Sequence, residues 1–148
     1  MYLLYKIKTK GKSSKNWKTA KMMLYKYPKR CKELLNIFTD ATIAHLIGQS
    51  NAGCQALEIF ESCAGVLAPD LFEEFVIPCL IRIYDEVKKE IKNSDKTPII
   101  LFARECNIRL DKLINKIGKE RYEVYAIGWG KDAKEARHEV GYDKTLQV

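Results

Sequence analysis

The sequence predicts an α/β protein built on a parallel sheet of about four strands with intervening helices. Three observations lead there. After Gly53, short apolar runs alternate with segments of helical periodicity. The runs Gln55–Phe60, Pro98–Ala103, Tyr122–Ile127 and Thr145–Val148 lack a clean apolar/polar alternation, as expected of strands buried on both faces. The last two spacings between run starts are 24 and 23 residues, close to the minimal strand–helix–strand unit.

Each element follows from local chemistry. Trp17–Tyr27 has good helix formers, with Ala20, Met23, Leu24 and Tyr27 on one side, and Pro28 interrupts it. Lys32 to about Gln49 reads as a helix whose buried stripe is Leu34, Leu35, Phe38, Ala41, Thr42 and His45, with His45 at the edge of the core. The first strand, Gln55–Phe60, ends abruptly in Glu61, Ser62 and Cys63, then Ala64-Gly65. Pro69–Lys92 is helical, started by Pro69 and kinked or split by Pro78. The helix Asn107–Ile117 has Asn107 as N-cap and Gly118 as its stop. In the helix Asp132–Val140, Asp132 and Glu135 have capping-box spacing and Gly141 ends the element.

The chain has 148 residues, enough for one domain with a core. Its net charge of +7 is unevenly spread: residues 1–32 hold eleven Lys or Arg and no acid, while the rest of the chain is net acidic. Residues 1–16 therefore read as a basic, irregular lead-in, and 17–148 as the folded part. A basic arm alone, without a second basic face, is weak support for nucleic-acid binding. No run reaches the roughly 18 apolar residues of a membrane span, and MYLLYKIKTK has its charges on the wrong side of its apolar patch for a signal peptide. Five cysteines without a C-x-x-C pair read as reduced thiols, which implies a cytosolic setting.

In parallel α/β proteins, chemistry collects at the carboxyl ends of the strands. Here those ends carry Glu61, Ser62 and Cys63; Arg104 and Glu105; Gly128 and Trp129. Ser62 lacks the G-x-S-x-G elbow and a neighbouring histidine, so it suits hydrogen bonding to a ligand, or a strand-end cap, better than nucleophilic attack. Cys63 and Cys106 fall short of the three or four ligands of a zinc site. Arg104 has the fork that grips a carboxylate, or it pairs with Glu105 or Asp111. Trp129 reads as a core aromatic. GKSS at Gly11–Ser14 is not a phosphate loop, because Lys6 stands where that loop needs glycine.

ALEIFESCAGVLAPDLFEEFVIPCL, Ala56–Leu80, resembles the central stretch of the uroporphyrinogen decarboxylase family. AKMMLYKYP (Ala20–Pro28), LLNIFTDATIAHLIGQSNAGCQ (Leu34–Gln55), PIILFAR (Pro98–Arg104), YEVYAIGW (Tyr122–Trp129), AKEARHEVG (Ala133–Gly141) and KTLQ (Lys144–Gln147) are similar to further family segments in family order. The resemblance runs from about Trp17 to Gln147. It implies part of a (β/α)8 barrel of the TIM type, in an enzyme of haem biosynthesis that removes carboxylate from the acetate arms of uroporphyrinogen to give coproporphyrinogen. It also implies no metal or organic cofactor, a cytosolic location and, for the full-length family, a homodimer.

The resemblance assigns Ser62 to a substrate carboxylate and Phe60 to a place beside the macrocycle. Tyr5 is the one nearby candidate for a family tyrosine, and Arg104 a further candidate for a carboxylate. The family's N-terminal arginines, its aspartate and its C-terminal histidine match no residue here, so no catalytic residue is assigned and this chain alone is expected to be inactive. Two positions depart from the family pattern: Cys63 replaces a usual His, and Gly128 a usual Asp. Two alternatives compete. A related methyltransferase would carry a zinc-binding His-x-Cys, but Arg104 stands two residues before Cys106. A non-enzymatic truncated isoform would act through its basic arm.

Overall fold

The computed structural model describes residues 17–148. The basic lead-in and Tyr5 lie outside the described residues. Two helices come first, α1 (Lys18–Lys26) and α2 (Pro28–Asn51). Strand β1 (Leu57–Glu61) follows, then a 3-10 turn (Ala64–Val66), α3 (Pro69–Phe75) and α4 (Ile77–Glu90). The remainder is β2 (Ile99–Ala103), α5 (Leu110–Ile117), β3 (Val124–Ala126), α6 (Ala133–Val140) and β4 (Thr145–Gln147).

The four strands are parallel and lie in chain order, β1-β2-β3-β4. Right-handed crossovers between neighbouring parallel strands put the helices on one face. The helices pack in a matching row, α2 on α4, α4 on α5 and α5 on α6. Between that row and the sheet lies the core, with Leu57, Ile59, Ile99, Leu101 and Tyr125 from the strands against Phe72, Leu80, Val87, Leu113 and Ile117 from the helices. Full burial of each such side chain stabilises by roughly 1.5–3 kcal/mol.

The other face of the sheet carries no helix among the described residues. Register places Glu58, Ile100, Val124 and Thr145 in one row across it, and Phe60, Phe102, Ala126 and Gln147 in the next. Burial in β1 and β2 accordingly alternates. The strands are thus not buried on both faces, as their apolar composition suggested. Their second face has apolar side chains but no covering layer among the described residues.

Several boundaries differ from the sequence reading, each for a local reason. Pro28 opens α2 at its first turn, where its missing N–H costs nothing, so the helix starts four residues before Lys32. The buried stripe of α2 is Cys31, Leu35, Thr39, Ile43 and Leu46. It is rotated from the expected one, because α4 covers that side of the helix, and Ala41 and His45 are exposed. Tyr27, expected on the covered side of α1, is also exposed. The long helix does split: α3 ends at Phe75 and α4 begins at Ile77, where Pro78 has no N–H to continue the ladder. Arg109, not Asn107, is the N-cap of α5. β3 begins only at Val124, since Tyr122 takes a φ of 50° that leaves the strand region. Gly118 and Gly141 end α5 and α6 with φ of 103° and 83°, and the Asp132 carboxylate accepts the Glu135 N–H at 2.8 Å, as their spacing predicted.

Candidate functional site

Glu61, Ser62 and Cys63 do three different jobs. The Glu61 carboxylate accepts the Cys63 backbone N–H at 3.0 Å and so fastens the turn that ends β1. Cys63 points into the core, where burial and then the Glu61 charge push its thiol above the ordinary value, against a smaller opposing effect of Arg104. The thiol therefore stays protonated and is not a nucleophile. Ser62, between them, is exposed, and its hydroxyl is available to a ligand.

The turn is held from its far side by the loop after β2. Arg104 N–H donates to Glu61 C=O at 3.2 Å, and Gly65 N–H donates to Arg104 C=O at 3.0 Å. Asn107 Nδ2 donates to Gly65 C=O at 3.0 Å and to Leu67 C=O at 2.8 Å. The two loops approach so closely that a Cβ on Gly65 would lie 2.4 Å from the Glu105 carbonyl oxygen. Glu105 itself has a φ of 51°. This explains the displaced cap of α5: the Asn107 amide bridges loops and does not cap the helix. Sequence reasoning missed this bridge, since an Asn just before a helix carries the same local signal in either role.

Phe60 precedes this turn on the uncovered face of the sheet. It is 63% exposed and makes an edge-to-face contact with Phe102 at 5.9 Å and 78°. Phe60 and Phe102 are register partners, and the Arg104 N–H bond to Glu61 extends the same ladder by one step. Ser62 and Arg104 consequently stand at one level, just beyond an aromatic pair. Arg104 is exposed, and Asp111 accepts from Arg109. Trp129 is 93% exposed on the loop after β3, at the same end of the sheet, so it is not a core residue. The loop there is set by Lys131, whose N–H bonds Gly128 C=O and whose ammonium meets Glu139.

Next to β1 runs a cleft of about 530 Å³, walled by Leu35, Phe38 and Leu46 of α2 and by Ile59 and Phe60 of β1. Ser62 and Glu61 lie on its rim, and His45 borders it. No hydrogen bond joins the His45 ring to the Ser62 hydroxyl, so the pair is not a nucleophile and base. Among the described residues no group of three or more His, Cys, Asp or Glu is arranged to hold a metal ion. No helix among them is long and apolar enough to cross a membrane.

Phe60, Ser62 and Arg104 are thus brought together at the carboxyl ends of β1 and β2. That end of the sheet carries an exposed aromatic ring, a neutral hydroxyl and an exposed guanidinium. Such a set suits a planar molecule with carboxylates on its rim.

Comparison with known proteins agrees with the resemblance. The family model described as uroporphyrinogen decarboxylase (URO-D) matches residues 4–147. The chain is 41% identical over 128 residues to the uroporphyrinogen decarboxylase of Schizosaccharomyces pombe, covering 85% of this chain and 34% of that protein. It is 37% identical over 139 residues to the human uroporphyrinogen decarboxylase, covering 93% of this chain and 37% of that one. It is 30% identical over 146 residues to the protein of the same name from Pelodictyon phaeoclathratiforme, covering 99% and 40%. The chain therefore spans between about a third and two fifths of the length of these relatives.

Proposed function

The chain belongs to the uroporphyrinogen decarboxylase family, and we propose that it forms one wall of a porphyrinogen site at the carboxyl ends of its strands. In this reading the macrocycle lies over Phe60 and Phe102, Ser62 donates a hydrogen bond to a carboxylate of the substrate, and Arg104 meets a second carboxylate. The observation that carries the reading is the shared level of Ser62 and Arg104 beside the exposed Phe60.

The chemistry divides accordingly. A neutral hydroxyl orients a carboxylate and stabilises its charge, but it does not readily supply the proton that loss of CO2 leaves the ring carbon needing. The chain's residues therefore bind and orient, and the proton-delivering and charge-balancing groups come from other parts of a complete enzyme. A cytosolic location and a homodimer of complete barrels belong to the same reading and rest on the family resemblance.

The test is a graft. Residues 17–147 replace the matching segment of the S. pombe relative, and the chimera is incubated with uroporphyrinogen under reducing conditions. Formation of coproporphyrinogen is expected. A folded chimera that binds no porphyrinogen would overturn the reading.

A further inference from the structure

We propose that Asn107 is a positioning residue: it fixes the turn that carries Ser62 relative to Arg104, and so sets the spacing of the two carboxylates that the site accepts. The inference rests on the proposed function and deepens it.

The turn after β1 does not hold itself. Its 3-10 stretch, Ala64–Val66, is closed by one backbone bond of its own, from Val66 N–H to Cys63 C=O at 3.0 Å. So short an element leaves its last carbonyls without partners inside it. Two of the carbonyls at its end, those of Gly65 and Leu67, are taken by one side chain. Asn107 Nδ2 carries two N–H groups and no charge, and it donates at 3.0 Å to Gly65 C=O and at 2.8 Å to Leu67 C=O. Both of its donors are thereby used on the turn. An aspartate of the same shape has no donor at neutral pH, and a serine has one.

Asn107 serves as an anchor because it is itself anchored. The next residue, Ile108, is buried in the core. Two residues further on, the Leu110 N–H that opens α5 donates to the Glu139 carboxylate at 3.0 Å, and Lys131 meets that same carboxylate at 3.0 Å. The bridge therefore ties the Ser62 turn to helix α5 and not only to another loop. The backbone bonds between the two loops, Arg104 N–H to Glu61 C=O and Gly65 N–H to Arg104 C=O, converge on Arg104 alone. Bonds through one residue let the turn pivot about it, and the pair from Asn107 removes that pivot. Ser62 and Arg104 are thus held at one separation. A hydroxyl and a guanidinium so held select two carboxylates at one spacing, whereas the same groups on a pivoting turn lose the combined fit.

Equilibrium binding of uroporphyrinogen to the 148-residue chain, under reducing conditions, tests this. The parent, Ser62→Ala, Asn107→Ala and the double variant are compared, with thermal unfolding of each alongside. Ser62→Ala is expected to weaken binding about tenfold, the usual loss for a hydrogen bond to a charged group, and Asn107→Ala on the order of fivefold. Once Ser62 is truncated there is no spacing left to set, so Asn107→Ala in that background is expected to weaken binding by less than about twofold more. A residue that only stabilises the fold would lower the thermal midpoint and multiply the Ser62 loss. Losses that multiply, or an Asn107→Ala chain that binds like the parent while Ser62→Ala binds weakly, overturn this inference and leave the proposed function standing. A parent chain that binds no uroporphyrinogen, or a Ser62→Ala chain that binds like the parent, overturns the proposed function and this inference with it. If Asn107→Ala fails to fold, amide hydrogen exchange on the unaltered chain decides the question. Uroporphyrinogen is expected to slow the Gly65 and Arg104 N–H groups together, and either one left unchanged overturns the inference.

Discussion

Glu123 ties together three elements at the amino-terminal end of the sheet. Its carboxylate accepts from Ile99 N–H at 2.8 Å, from Tyr84 Oη at 2.8 Å and from Lys88 Nζ at 2.8 Å. Lys88 also donates to Ser94 C=O and Thr97 C=O. Burial alone would raise the Glu123 carboxyl. The bonds from Ile99, Lys88 and Tyr84 outweigh it and leave the group below its ordinary value of 4.5. Burial, reinforced by Glu123, pushes the Tyr84 phenol well up, so Tyr84 stays a donor at neutral pH. A carboxyl held low in the folded state contributes stability that is present above its unfolded value and lost as pH falls through the folded one. The urea midpoint should therefore fall as pH drops below 4.5, and Glu123→Gln should flatten that acid limb. Glu123→Ala should destabilise by about 1–3 kcal/mol, because it leaves the Ile99 N–H without a partner. An acid limb unchanged by Glu123→Gln would show that other carboxylates set it. Ser62 belongs to this scale too. In the grafted enzyme, Ser62→Ala should lower kcat/KM by about 1–3 kcal/mol of transition-state binding, the usual loss for a hydrogen bond to a charged group. An unchanged kcat/KM would remove Ser62 from the site.

At the scale of elements, the loops after β1 and β2 behave as one unit, because Gly65 admits the Glu105 backbone at a distance no side chain allows. Gly65→Ala should force the loops apart, cost about 1–3 kcal/mol and displace Ser62 relative to Arg104. Thermal unfolding of the variant checks the first effect. A variant as stable as the parent would contradict the close approach. The same elements show what the sequence could reveal. The parallel strands, the split at Pro78 and the stops at Gly118 and Gly141 were legible, since each rests on a local backbone property. The facing of α2 was not legible. Leu34 and Leu35, or Phe38 and Thr39, compete for one stripe, and only the packing of α4 decides between them. Trp129 was misread for a similar reason: its place on a loop end, not its apolar ring, sets its exposure. Of the site, Phe60 and Ser62 were visible as a strand end, whereas the Asn107 bridge joins loops about 40 residues apart and leaves no local signal.

At the scale of the whole molecule, the described residues form a sheet with one clothed face and one bare face, and the proposed function divides the chemistry in the same way. Phe60, Ser62 and Arg104, the groups proposed to orient a substrate, stand on or beside the bare face. In the proposed function the proton-delivering and charge-balancing groups belong to other parts of a complete enzyme. The most direct measurement is coproporphyrinogen formation from uroporphyrinogen, under reducing conditions, by the isolated folded 148-residue chain beside the same residues grafted into the S. pombe relative. The graft is predicted to turn over and the isolated chain to give none. Turnover by the isolated chain would contradict this division of roles and show that the reacting groups lie among its own residues.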